Sequence, residues 1–164
     1  MKKSIILFFL AISLSSYAQK NAQNPYGLTI INDYSAYRAD YKIHPNNELI
    51  EIKKAIPSIV LDIRYATKDN FMNQVMYNQA RAFARKPVID QLKKIQAALK
   101  TKGYGLKIFD AYRPYAITIA FWEKASDKAF VANPAKGSKH NRGCAVDLTL
   151  INLKTGKDIP MPTP

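Results

Sequence analysis

The sequence predicts an α+β domain: a small mixed or antiparallel sheet with helices packed on it. Three observations carry this. Residues 58–65 alternate, with Ile59, Leu61, Ile63 and Tyr65 on one face and Asp62 and Arg64 on the other, the period of a half-buried strand. Val88, Leu92, Ile95 and Leu99 recur at intervals of four, three and four, an apolar stripe at helical spacing. Two further apolar runs, 106–109 and 145–151, lack helical period and read as strands.

Taken in order, residues 1–18 read as a secretory signal. Lys2 and Lys3 form the basic region, residues 5–14 the apolar region, and Ser16, Tyr17 and Ala18 a small-x-small cleavage site before Gln19. The apolar stretch is about ten residues, half of what a membrane span needs. An uncleaved anchor is the alternative reading. The expectation is export, to a periplasm, without stable membrane insertion. Residues 19–47 are polar and aperiodic and read as an N-terminal arm. His44, beside Pro45 in a turn signal, reads as a surface histidine. The domain itself runs over 48–164. After the first strand comes a polar loop through Asn70 and Asn73. Pro87 opens the striped helix and Gly103 closes it. The strand 106–109 ends at Asp110. Pro114 starts a second helix carrying Ile117, Phe121 and Trp122, a loop spans Asn133 to Gly137, and 145–151 is the last strand.

With 146 residues left after residue 18, one domain can bury a real core. Without Lys2 and Lys3 the formal net charge falls from +13 to +11. The lysines are scattered, in pairs at most, so they read as solvated helix faces rather than a nucleic-acid surface. A weak attraction to anionic cell-envelope polymers is consistent with them. Cys144 is the only cysteine, which excludes an internal disulfide. Set among Gly143 and Ala145, it reads as a small buried packing residue; a nucleophilic thiol would want a base nearby.

Two stretches carry chemistry. In 138–147, S-K-H-N-R-G-C-A-V-D, His140 and Asp147 flank a glycine turn that feeds a strand. Imidazole plus carboxylate is a common zinc pairing. A solvated loop histidine and an aspartate paired with Arg142 would explain the same residues. In 108–114, I-F-D-A-Y-R-P, a strand ends in Asp-x-x-Arg before a helix. There Asp110 can orient Arg113, and Arg113 can hold a carboxylate or a developing oxyanion. A purely structural salt bridge is the other reading.

In this order, D-I-R-Y-A-T-K-D-N-F at 62–71, F-D-A-Y-R-P at 109–114 and S-K-H-N-R-G-C-A-V-D-L-T-L at 138–150 resemble the D-alanyl-D-alanine dipeptidase family, zinc peptidases of the vancomycin-resistance type. The resemblance covers roughly residues 55–164. It implies a mixed α/β peptidase domain with one zinc ion per chain, His140 and Asp147 as two of its ligands, and Arg113 as stabiliser of the tetrahedral transition state. It also implies Ser138 and Tyr65 as substrate-pocket residues and D-Ala-D-Ala as the dipeptide hydrolysed. Such zinc would acidify a water and polarise the scissile carbonyl. His140 and Asp147 should then converge, with ligand atoms roughly 3–4 Å apart.

That family carries a later E-x-x-H motif, its Glu the general base and its His the third ligand. Among the 17 residues after Asp147 there is no His, Cys or Glu. The expectation is therefore a C-terminally truncated member of impaired activity. The alternatives are a non-catalytic binder of D-alanyl peptides and a related peptidoglycan D,D- or L,D-carboxypeptidase. The Y-A-T-x-x-N-F and D-L-T-L features favour the dipeptidase branch.

Overall fold

A computed structural model describes residues 24–161. The expected signal sequence and the expected cleavage point before Gln19 lie outside them. The expected α+β class holds. A three-stranded mixed sheet has the order β2 (Val60–Leu61), β4 (Tyr104–Asp110), β5 (Asp147–Asn152), with β2 parallel and β5 antiparallel to β4. A separate antiparallel pair joins β1 (Leu49–Glu51) to β3 (Phe83–Arg85).

The alternation at 58–65 survives as a burial pattern: Ile59 and Ile63 are buried and Val60 is exposed. Only two of those residues pair as a strand, and Arg64–Ala66 turns into a 3-10 helix. The main helix, α3 (Lys86–Lys100), starts as expected with proline in its first turn. Val88, Leu92 and Leu99 of the predicted stripe pack on the core, and the inward face is turned slightly away from Ile95. Ile89, Leu92 and Gln96 are buried, while Ile95 is 47% exposed. Gln96 takes the inward position beside Ile95. Its Oε1 accepts the Leu106 N–H at 2.8 Å and its Nε2 donates to Ser58 Oγ at 3.1 Å, so it ties the helix to two chain segments. A buried amide with its partners supplied costs little. Leu106 and Ile108 of β4 complete a core with Ile52, Ile56, Ile59 and Ala84.

The expected N-terminal arm is partly helical. Within 24–47, α1 (Tyr34–Ile43) is capped by Asp33, whose carboxylate accepts the Ala36 N–H at 2.8 Å. None of its residues is buried. It is tied to the domain because the Leu49 N–H donates to Tyr37 Oη at 2.6 Å. The short α2 (Ile52–Ala55) contributes Ile52 to the core, and α4 (Tyr115–Lys124) contributes Phe121.

Two features of this frame set up the functional region. First, β4 and β5 pair in register from Tyr104 opposite Asn152 to Ile108 opposite Leu148, then shift so that Asp110 faces Asp147. Phe109 is the extra residue of a β-bulge, a device that re-aims side chains beside sites. Second, the loop ahead of β5 is pressed against β1 and β3. Gly143 has φ +65°, and a Cβ there would lie 2.5 Å from Leu49 Cδ2. Only glycine meets both demands. The Arg85 N–H donates to the Gly143 carbonyl at 2.9 Å and fixes the approach.

Candidate metal and active site

The bulge and the glycine turn bring three donors together. Atoms of Asp110, His140 and Asp147 all lie within 4.8 Å of one another. His140 Nε2 is 3.5 Å from Asp147 Oδ1. Two donors sharing one tetrahedral zinc at about 2.0–2.2 Å each would stand roughly 3.4 Å apart, so the pair fits such an ion. His140 Nδ1 lies 2.9 Å from the Ala111 carbonyl. A carbonyl can only accept, so Nδ1 carries a proton and Nε2 is the ring nitrogen that faces Asp147. That backbone contact is the outer-shell bond that orients ligating imidazoles.

Asp110 is a different kind of group. It is 2% exposed, and all its acceptor positions are filled. Oδ1 takes the Tyr77 hydroxyl at 2.8 Å and the Ala111 N–H at 2.9 Å. Oδ2 takes Arg113 Nε at 3.0 Å and Nη2 at 2.8 Å. A carboxylate offers about four such sites, so binding a metal would mean releasing Arg113. Arg113 is itself buried, its guanidinium 5.4 Å from the Tyr65 ring centre and 4.9 Å from that of Phe121. Its Nη2 is 3.9 Å from Asp147 Oδ2. The strand-end reading of Asp110 and Arg113 thus becomes a buried, hydrogen-bonded pair aimed at the metal candidates.

The charges are mutually tuned. Burial alone would lower the His140 pKa, but the Asp147 carboxylate and the Ala111 carbonyl outweigh it and hold it above the ordinary histidine value. The hydrogen bond from His140 holds Asp147 below the usual carboxylate range. Burial pushes the Tyr65 phenol up.

Tyr65 does reach this region. It shares a cleft of about 400 Å³ with Arg64, Phe71, Asp110 and Asp147. The structure does not bring Ser138 there. Ser138 lines a separate cavity of about 630 Å³ with Leu28, Tyr112 and Asn141. Its hydroxyl accepts the Asn141 N–H at 3.1 Å, which holds it within its own loop. Arg142 does not pair with Asp147; it donates to the Ser138 and Lys136 carbonyls. Cys144 is exposed, not buried. Positive φ at Gly143 puts the backbone against β1 and β3, and the next side chain turns out to solvent. His44 is exposed at the end of α1 and is not among the clustered donors.

Two residues matter here that the sequence did not single out. Asn141 donates to the Arg113 carbonyl at 2.9 Å and to Thr118 Oγ1 at 2.8 Å, which locks the His140 loop to α4. Tyr77 sits on Asp110. Neither belongs to a periodic pattern, and only the polar types and the nearby motifs hinted at them.

Comparison with known proteins gives the family. A family model described as D-ala-D-ala dipeptidase matches residues 45–163. The D-alanyl-D-alanine dipeptidase of Escherichia coli (strain K12) is 35% identical over 103 residues, covering 63% of this chain and 53% of that protein. The enzyme of that name from Enterococcus faecium is 32% identical over 123 residues, 61% of this chain and 59% of that protein. That from Enterococcus faecalis is 28% identical over 138 residues, 70% and 67%. The chain therefore spans between half and two thirds of the relatives it matches. With the family model covering most of the chain, and the clustered residues all lying within the matched range, this chain belongs to the D-Ala-D-Ala dipeptidase family of peptidases.

Proposed function

We propose that this chain holds the zinc of a peptidase that hydrolyses the D-Ala-D-Ala dipeptide. The observation that carries the reading is the His140–Asp147 pair, 3.5 Å apart with the imidazole Nε2 already turned toward the carboxylate. Zinc bound there would supply Lewis acidity, lowering the pKa of a water and polarising a carbonyl. Arg113, preorganised by Asp110, then faces the negative charge that develops on the carbonyl oxygen. A donor fixed before the reaction costs no reorganisation during it. Tyr65 and Phe71 wall the cleft that takes the dipeptide. Ser138 lies outside that cleft and acts on it through the loop it shares with His140.

Hydrolytic zinc uses three protein donors and an open position. Among the described residues His140 and Asp147 supply two of these donors. A general base contributes a further ~10²–10⁴-fold. Hydrolysis assays on two proteins test the reading. The 164-residue polypeptide should cleave D-Ala-D-Ala little above background. A chimera joined to the C-terminal part of the Escherichia coli relative should cleave it in a chelator-sensitive way. Strong, chelator-sensitive turnover by the polypeptide alone would overturn the donor count. A folded, zinc-loaded chimera without turnover would overturn the dipeptidase reading.

A further inference from the structure

Tyr77 lies between β2 and β3 in a stretch without regular structure, yet it is firmly placed. The backbone N–H groups of Met76 and Tyr77 both donate to the Tyr65 carbonyl, at 2.8 and 2.9 Å. The Tyr77 ring packs edge-on against Tyr65, with centres 5.7 Å apart. This delivers its hydroxyl to Asp110 Oδ1 at 2.8 Å.

The consequence lies in how Arg113 is held. Arginine and a carboxylate commonly form two parallel bonds, one to each oxygen. Here Oδ1 already accepts Tyr77 and the Ala111 N–H, and Arg113 brings both Nε and Nη2 to Oδ2. Oδ2 is also the oxygen 3.8 Å from His140 Nδ1, and Nη2 is the nitrogen 3.9 Å from Asp147. The guanidinium is thus shifted toward the His140–Asp147 pair. We infer that Tyr77 is a positioning residue: by occupying Oδ1 its hydroxyl imposes the one-oxygen Asp110–Arg113 geometry that aims Arg113 at the His140–Asp147 pair. The purpose of that aim rests on the metallopeptidase reading; the geometry does not. Burial and the adjacent Asp110 raise the Tyr77 phenol well above its ordinary pKa, so it stays a donor at neutral pH.

The test is Tyr77→Phe in the full 164-residue chain, read by the nitrogen–proton NMR cross-peak of the Arg113 Nε–H group. The ring and its packing remain, and only the hydroxyl goes. Arg113 should re-seat across both oxygens and its cross-peak should move. Tyr112→Phe, which removes a hydroxyl that does not touch Asp110, should leave it in place. A lowered melting temperature with an unmoved Arg113 cross-peak would overturn the inference and reduce Tyr77 to a packing residue. If Tyr77→Phe does not fold, the unaltered chain decides. A slowly exchanging Tyr77 hydroxyl proton with a cross-relaxation peak to the Ala111 amide supports the inference, and its absence overturns it. Neither readout needs zinc or turnover, so the inference and the metallopeptidase reading can fail separately.

Discussion

Replacing Asp110 by asparagine should destabilise the protein by about 3–5 kcal/mol, the usual effect of breaking a buried ion pair from one side. Asp110 is 2% exposed and the Arg113 side chain 11%, so water cannot take over the lost bonds. The amide that replaces the carboxylate has one acceptor oxygen for the four N–H and O–H groups now served by two. For a domain of this size each kcal/mol lowers Tm by about 2–4 °C. Thermal unfolding should therefore show a fall of roughly 10 °C. A shift within 2 °C would mean that Arg113 finds another partner and that Asp110 does not anchor it.

Arg113→Ala should have the largest effect on chemistry. In the active chimera, turnover of D-Ala-D-Ala should fall roughly 10²–10³-fold, the range for losing one preorganised donor to an oxyanion. Zinc content should stay near one per chain, because Arg113 is not among the metal donors. Arg113→Lys should recover little of the loss. Lysine keeps the charge but cannot place two fixed N–H groups on Asp110 Oδ2 while turning a third toward Asp147. Kinetics with metal analysis on the same samples separates the outcomes. Loss of zinc alongside activity would move Arg113 from a role in the transition state to one in building the metal site.

Much of the site was legible in the sequence because its residues sit at points where the chain changes direction. Asp110 ends a strand, Arg113 precedes a helix, and His140 and Asp147 bracket Gly143, whose positive φ is a local requirement. What escaped detection depends on contacts between distant segments. β1 and β3 are three residues each, too short to display a period, and they pair across more than thirty positions. The stripe on α3 packs on the core through Val88, Leu92 and Leu99, but Gln96, polar in sequence, is buried beside it through bonds to Ser58 and Leu106, and Ile95 is exposed. Cys144 looked like a packing residue from its small neighbours, but the turn at Gly143 exposes it. Tyr77 is 33 positions from Asp110, and only the fold brings them together.

Crystals of the 164-residue chain soaked in zinc and measured across the zinc absorption edge test the central claim most directly. One anomalous peak should lie about 2.0–2.2 Å from both His140 Nε2 and an Asp147 oxygen, with Asp110 still bonded to Arg113. A peak at exposed His44, or one ligated by Asp110 with Arg113 displaced, would contradict it.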